Sequence, residues 1–407
     1  MTHPLHDAPG ALAGEHICAE ILEQPALVRR MLVAPVPGWP ADGGRTLITG
    51  SGDSHVAAEL VQRLLGRADV VARPSMEASA EAAALRPGDA LIGISVSGRT
   101  PRVLEALLRA RTAGARAVAV TDDPASPLAS AADAVWLIGA SPASVLAETS
   151  YRDPAARTYV GYHHDVAQTK TFLAALLTVL RPAAAGAAGT GATGAAATDD
   201  TGGPAPWSGL PALLDAVTAQ DWYRPLLERA TGWAAAGQAF CLGRGPGLAL
   251  ARFATYKLFE YNRIAHCNDL EEYCHTHYFV TRPGDAVVAV LLDEADAGRA
   301  AEILPVLAEL FGARIVVLCP DDLDCPESLR GHALRVPAGT SPVERVAGMT
   351  VALQWVTYLW GRIGAPDINT FHAGYETERL VAASARTIRQ SRIASAPPRP
   401  GTPPPDG

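Results

Sequence analysis

Short unbroken apolar runs recur along the chain, each followed by a stretch with helical periodicity. In the first half they are RTLITG (45–50), DVVAR (69–73), DALIGIS (89–95), RAVAVTD (116–122) and DAVWLIG (133–139). A run without polar alternation is what a strand needs when helices cover both faces of its sheet. Helical stretches such as TPRVLEALLRARTAGA lie between the runs, so the rhythm predicts a doubly wound parallel sheet. It returns later as QAFCLG (238–243), DAVVAVLLD (285–293), ARIVVLC (313–319) and HALRVP (332–337), with helices expected over 246–262, 297–311 and 343–362. The second half thus reads as a degenerate repeat of the first. Flanking helices are expected at 15–34 and 375–394.

Composition sets the boundaries. Residues 182–206, PAAAGAAGTGATGAAATDDTGGPAP, carry little apolar surface to bury and read as a disordered linker. The Pro-rich end, 395–407, reads the same way. The expected organisation is a first domain at 15–181, the linker, a second domain at 207–365, a helical tail at 366–394 and a disordered end. A chain of 407 residues with 48% hydrophobic and 19% charged residues suits two globular domains. The net charge of −8 and the lack of any Lys/Arg-rich run argue against a nucleic-acid partner. No apolar stretch reaches spanning length, and the N-terminus has no basic region followed by an apolar one. Six scattered cysteines without a CxxC pair favour reduced thiols, so a cytoplasmic location without a membrane partner is expected.

Two strand ends carry candidate chemistry. In SVSGRTP, Ser95 and Ser97 stand two apart where a strand gives way to a helix. A helix N-terminus presents unpaired N–H groups and partial positive charge, which favours an anion. Gly98 permits a close turn, Thr100 is placed to cap the helix, and Pro101 stands at its first position. Arg99 either adds a cation or points to solvent. The other strand end is GSGDS: Gly50 and Gly52 allow close approach, Ser51 and Ser54 offer hydroxyls, and Asp53 is a candidate cap. The third glycine of a GxGxxG dinucleotide fingerprint is missing.

Strand–GSGDS–helix, strand–SxSGxT–helix and TDDPASPLASAAD together resemble the sugar isomerase (SIS) phosphosugar-binding domain family. The resemblance covers roughly residues 15–180 and, more loosely, 210–365, an arrangement similar to the isomerase half of glucosamine-6-phosphate synthases. It implies two flavodoxin-like α/β domains and a phosphorylated sugar or amino sugar held by Gly50, Ser51, Gly52, Ser54, Ser95, Ser97, Gly98 and Thr100. It also implies a homodimer with the active site at or near the subunit interface, and no organic cofactor. Thr2 stands where the glutaminase domain of such synthases needs a cysteine, so that domain is not expected.

The family's V-A-S-T-K run reads DVAQTKTF here, which adds Val166 and Gln168 as sugar contacts and replaces a serine by Gln168. LGRGPGLALARFATYKLFE is similar to the strand–GRG–helix–KLxE pattern. That assigns Glu260 as the general base moving a proton between C1 and C2 through an enediol, and Lys257 as the group that orients it. Spacing alone reads the same two residues as a surface ion pair. EYCHTHYF resembles E-L-K-H-G-P without its Gly-Pro, which implies His275 as the ring-opening acid/base with His277 as competitor. His266, Cys267, Cys274, His275 and His277 also invite a metal reading, but no CxxC or HExxH accompanies them, and no metal is expected. The tail at 366–394 contains no lysine, unlike the closing loop of the synthases. The expectation is an aldose–ketose isomerase with possible deamination or amine exchange; the rival is a non-catalytic sugar-phosphate sensor.

Overall fold

The computed structural model describes residues 15–40, 43–140, 169–188, 207–233 and 235–364. Its described residues fall into two compact units. One holds those within Met1–Pro35, Thr158–Leu173 and Thr198–Leu380, the other those within Val36–Arg157, Ala174–Ala197 and Val381–Gly407. Helix α1 (Glu15–Val33) is therefore grouped with the second sheet, although the first domain was expected to begin at 15.

The first sheet is parallel, with β1 (Thr46–Gly50), β2 (Val70–Pro74), β3 (Ala90–Ile94), β4 (Arg116–Thr121) and β5 (Ala134–Leu137) in the order β2-β1-β3-β4-β5. Between the strands lie α2 (Asp53–Leu65), α3 (Ser75–Glu81), α4 (Pro101–Thr112) and α5 (Pro127–Ala131). Leu47, Leu91, Val103, Leu107 and Leu128 are wholly buried on one side of this sheet. Every residue of β1 and β3 is buried, which is why their sequences show no alternation.

Helix α6 (Lys170–Ala188) continues past 182, where composition places the linker. An alanine-rich segment needs no large side chains to stay helical, because alanine is the best helix former. The rest of that linker, the helix expected at 375–394 and the candidate contacts Val166 and Gln168 lie outside the described residues.

The other unit contains α7 (Leu210–Thr218), α8 (Gln220–Trp233), β6 (Ala239–Gly243), α9 (Pro246–Glu260), β7 (Ala265–Asp269), α10 (Leu270–His275), β8 (Ala286–Val290), α11 (Glu294–Phe311), β9 (Arg314–Pro320), α12 (Glu327–Arg330), β10 (Ala333–Val336) and α13 (Pro342–Gly364). Its strands are parallel in the order β10-β9-β8-β6-β7. Read from the other edge, that is the order of the first sheet. Strand β7 was not foreseen: its sequence AHCND sits at an edge, half-buried, and lacks the apolar run of its neighbours.

A buried polar knot ties α1, the first turn of α6 and α13 together in this unit. Glu20 Oε2 accepts from the Thr169 N–H at 2.6 Å, the Thr169 hydroxyl at 3.1 Å and the Lys170 N–H at 3.3 Å. Lys170 Nζ reaches Glu23 at 2.6 Å, and Gln354 donates to the Thr169 carbonyl at 3.1 Å while accepting from Gln24 at 2.5 Å. Such a network fixes geometry because each buried partner left alone would cost its full desolvation. Among the described residues no helix is long and apolar enough to cross a membrane.

Candidate functional site

In an open parallel sheet, ligands bind beyond the strand C-termini where the strand order reverses. In the first sheet that point lies between β1 and β3. The two loops leaving it are GSGDS and SVSGRT.

Gly98 has φ +62° and sits so close to Ser126 that a Cβ would overlap its side chain and stand 2.9 Å from Thr121 Oγ1. The loop is held by backbone: the Asp122 N–H donates to the Val96 carbonyl at 2.9 Å, and the Leu128 N–H to the Gly98 carbonyl at 3.1 Å. Ser95 is buried and its hydroxyl lies 2.9 Å from that of Thr100. Thr100 occupies the N-cap position of α4, but its side chain makes no capping bond. The expected cap is thus absent, and the hydroxyl bonds Ser95 instead. Ser97 Oγ accepts weakly from the Arg99 N–H at 3.4 Å. Arg99 takes neither expected role: its guanidinium turns to the buried carboxylate of Asp123, 3.3 Å away.

On the neighbouring loop, Gly50 packs against the start of α2, where a Cβ would meet the Ser54 carbonyl carbon at 2.5 Å. Gly52, with φ +57°, is the N-cap of α2, and Asp53 is the first helical residue; the capping role expected of Asp53 falls to a glycine. Ser51 Oγ lies 2.8 Å from Ser75 Oγ at the start of α3. Sequence reasoning missed Ser75, because only the β1–β2 register brings the two strand ends together. The hydroxyls of Ser51, Ser75, Ser95, Ser97 and Thr100 and a helix start that Thr100 does not cap thus share one sheet edge, a donor-rich arrangement suited to a phosphate.

In the second-sheet unit, α9 carries Lys257 and Glu260 on one face. Lys257 is 1% exposed, its Nζ is 2.7 Å from Glu260 Oε2 and 5.6 Å from the centre of the Phe253 ring. Glu260 keeps 28% of its side chain exposed. An ammonium this buried is unlike a surface ion pair: the apolar helix face around it makes the carboxylate its necessary neighbour.

His275 is placed differently from its expected role. It is 66% exposed and bonded to Glu271 at 3.1 Å, a carboxylate that Arg299 also holds at 2.7 Å. His275 and then Arg299 lower the pKa of Glu271. His277, the competitor, is half-buried: Asn268 Nδ2 donates to its Nδ1 at 2.9 Å, so the neutral ring carries its proton on Nε2. Burial, then His266, whose ring centre is 5.3 Å away, lowers the His277 pKa. Gln238 donates to Asp285 at 2.8 Å, which turns its Oε1 towards His266 Nε2 at 3.0 Å. Cys267 and Cys274 direct their thiols to the carbonyls of Leu248 and Leu270. Among the described residues no group of three or more His, Cys, Asp or Glu side chains is disposed to hold a metal ion.

Comparison with known proteins bears on this geometry. Residues 41–153, which include both hydroxyl loops, match the SIS domain family model. The chain is 31% identical over 351 residues to a glutamine–fructose-6-phosphate aminotransferase (isomerizing) of Aeropyrum pernix, covering 83% of this chain and 50% of that protein. It is 31% identical over 139 residues to a 3-hexulose-6-phosphate isomerase of Mycobacterium gastri, covering 34% of this chain and 62% of that one. The chain therefore spans half to under two thirds of these curated relatives. Among solved structures, the C-terminal domain of glucosamine-fructose-6-phosphate aminotransferase from Francisella tularensis superposes with a TM-score of 0.67 at 17% identity, covering 88% of this chain and 98% of that domain. That likeness is one of fold, and both five-stranded sheets take part in it. The family match lies over the two hydroxyl loops themselves, so residues 41–153 carry an SIS domain.

Proposed function

We propose that this chain binds a phosphorylated sugar or amino sugar through the two loops of its first sheet and interconverts aldose and ketose by proton transfer between C1 and C2. The observation that carries the reading is the SVSGRT loop, where Ser95 and Thr100 bond each other and Thr100 does not cap α4. A phosphate brings three acceptor oxygens and negative charge to such a place. Names of relatives, among them a fructose-6-phosphate aminotransferase and a hexulose-6-phosphate isomerase, support a six-carbon sugar phosphate as the substrate class. Glu260 serves as the base: it is a carboxylate fixed by Lys257 yet still open to solvent. Lys257 steadies the carboxylate and the charge that develops on the enediol. Removal or exchange of an amine at C2 is a compatible extension for an amino-sugar substrate.

The test is proton NMR in deuterated water with hexose 6-phosphates and glucosamine 6-phosphate, comparing wild type with Glu260→Gln. Deuterium entering C1 or C2 with wild type alone is the expected result. No exchange with any of these sugars, together with ligand-induced thermal stabilisation, would sink the enzyme reading. It would favour a sugar-phosphate sensor, a reading that the exposed, Glu271-bound position of His275 supports.

A further inference from the structure

The two sheets repeat the same strand order, and two of the three loops at their C-terminal edges repeat the same devices. Gly245 caps α9 with φ 55° and ψ −125°, as Gly52 caps α2 with φ 57° and ψ −130°. Asp321 Oδ1 accepts from the Ala338 N–H at 2.8 Å after β9, as Asp122 Oδ1 accepts from the Ala140 N–H at 3.1 Å after β4. The loops after the central strands, β3 and β8, part ways. After β3 stand the hydroxyls of SVSGRT; after β8 stands LLDEAD.

There, Asp293 is the N-cap of α11, and its Oδ1 accepts from the Asp296 N–H at 2.9 Å. Asp296 is 2% exposed and accepts from the Leu292 N–H at 2.9 Å and from Arg244 Nε at 2.7 Å. Arg244 Nη2 reaches Asp293 Oδ2 at 2.5 Å. Arg244 comes from the glycine turn after β6, the counterpart of Ser51. A guanidinium edge, a loop N–H and a helix-start N–H are the donors a phosphate uses, and the chain's own carboxylates take them. One cation faces two carboxylates, so the knot is already net negative and a phosphate would meet repulsion as well as occupied donors.

We infer that the second sheet carries an anion site sealed by Asp293 and Asp296, so that the chain takes a single phosphorylated ligand. The count of one rests on the reading of SVSGRT as a phosphate cradle; the sealing does not. Equilibrium dialysis of the full chain against fructose 6-phosphate, with inorganic phosphate as competitor, tests both. Wild type is expected to bind one equivalent, and Ser97→Ala/Thr100→Ala to weaken it tenfold or more. Asp293→Asn/Asp296→Asn is expected to gain a second, phosphate-competed equivalent that persists alongside Ser97→Ala/Thr100→Ala and is lost when Arg244→Ala is added. Asp293→Ser, which keeps a cap, gives the same gain more weakly should the double variant fold poorly. Two equivalents in wild type, or no gain in the folded aspartate variants, would overturn the sealing. No binding in wild type with a gain in the aspartate variants would overturn the cradle and leave the sealing standing.

Discussion

Gly98→Ala is the sharpest perturbation of the first-sheet loop. The new methyl requires φ near +62°, which costs a residue with Cβ about 1–2 kcal/mol. It also overlaps Ser126, whose Oγ caps α5 by accepting from the Ala129 N–H at 3.2 Å. Displacing a serine cap costs about 0.5–2 kcal/mol. The two effects together give roughly 2–4 kcal/mol. Gly66→Ala is the internal control: its φ of +60° is likewise left-handed, but nothing lies within 4 Å of the new methyl. Thermal unfolding is therefore expected to fall by roughly 5–15 °C for Gly98→Ala and by about half of that for Gly66→Ala. Fructose 6-phosphate affinity measured by dialysis should drop about tenfold for Gly98→Ala, the change that corresponds to about 1.4 kcal/mol of lost phosphate contacts when the loop shifts. Equal melting shifts for the two variants, with ligand affinity intact in Gly98→Ala, would refute the claim that close approach of Gly98 to Ser126 builds the cradle.

Other outcomes follow from the second-sheet unit. Glu260→Gln removes a carboxylate from beside the buried ammonium of Lys257 and should cost about 1–3 kcal/mol in urea unfolding, less than a fully buried pair because Glu260 is partly exposed. Adding Lys257→Met should restore stability but not deuterium exchange, a split that a purely structural pair would not show. Burial lowers the pKa of both His277 and His332, helped by His266 and Arg229 respectively. The unfolded chain therefore binds these protons first as pH falls: the contribution is complete above the unfolded value of about 6.5 and shrinks through the acid side. Melting temperature should decline from pH 7 to 5, and more gently in His277→Asn; parallel slopes would count against this origin. Glu344→Ala removes a buried capping-box carboxylate that accepts from the Thr340 N–H at 2.8 Å, its hydroxyl at 2.7 Å and the Ser341 N–H at 3.1 Å. The urea midpoint should fall by about 2 kcal/mol equivalent, and Glu344→Gln should recover part of it.

Nine of the ten strands were legible in the sequence: the central ones are buried on both faces and written in consecutive apolar residues, and the edge strands β2, β5 and β10 keep an apolar run although partly exposed. The tenth, AHCND at a sheet edge, escaped because His266, Asn268 and Asp269 break any apolar run. The hydroxyl loops were legible as candidates for the same local reason: glycine and hydroxyl residues at a strand end have few other uses. What each side chain does there was not local. Thr100 forgoes its helix for Ser95, Arg99 turns to Asp123, and Ser75 joins Ser51 from another strand end. His275 and His277 are two residues apart, and the sequence pattern favoured His275, yet packing exposes it to Glu271 and encloses His277 beside His266. The apolar and glycine pattern alone thus determined two parallel α/β sheets and the place of the two hydroxyl loops. Tertiary structure decided that Ser75 meets Ser51 and that Arg244 is held by Asp293 and Asp296, since these join residues far apart in the chain, and it decided that the local pair of Lys257 and Glu260 has its ammonium buried.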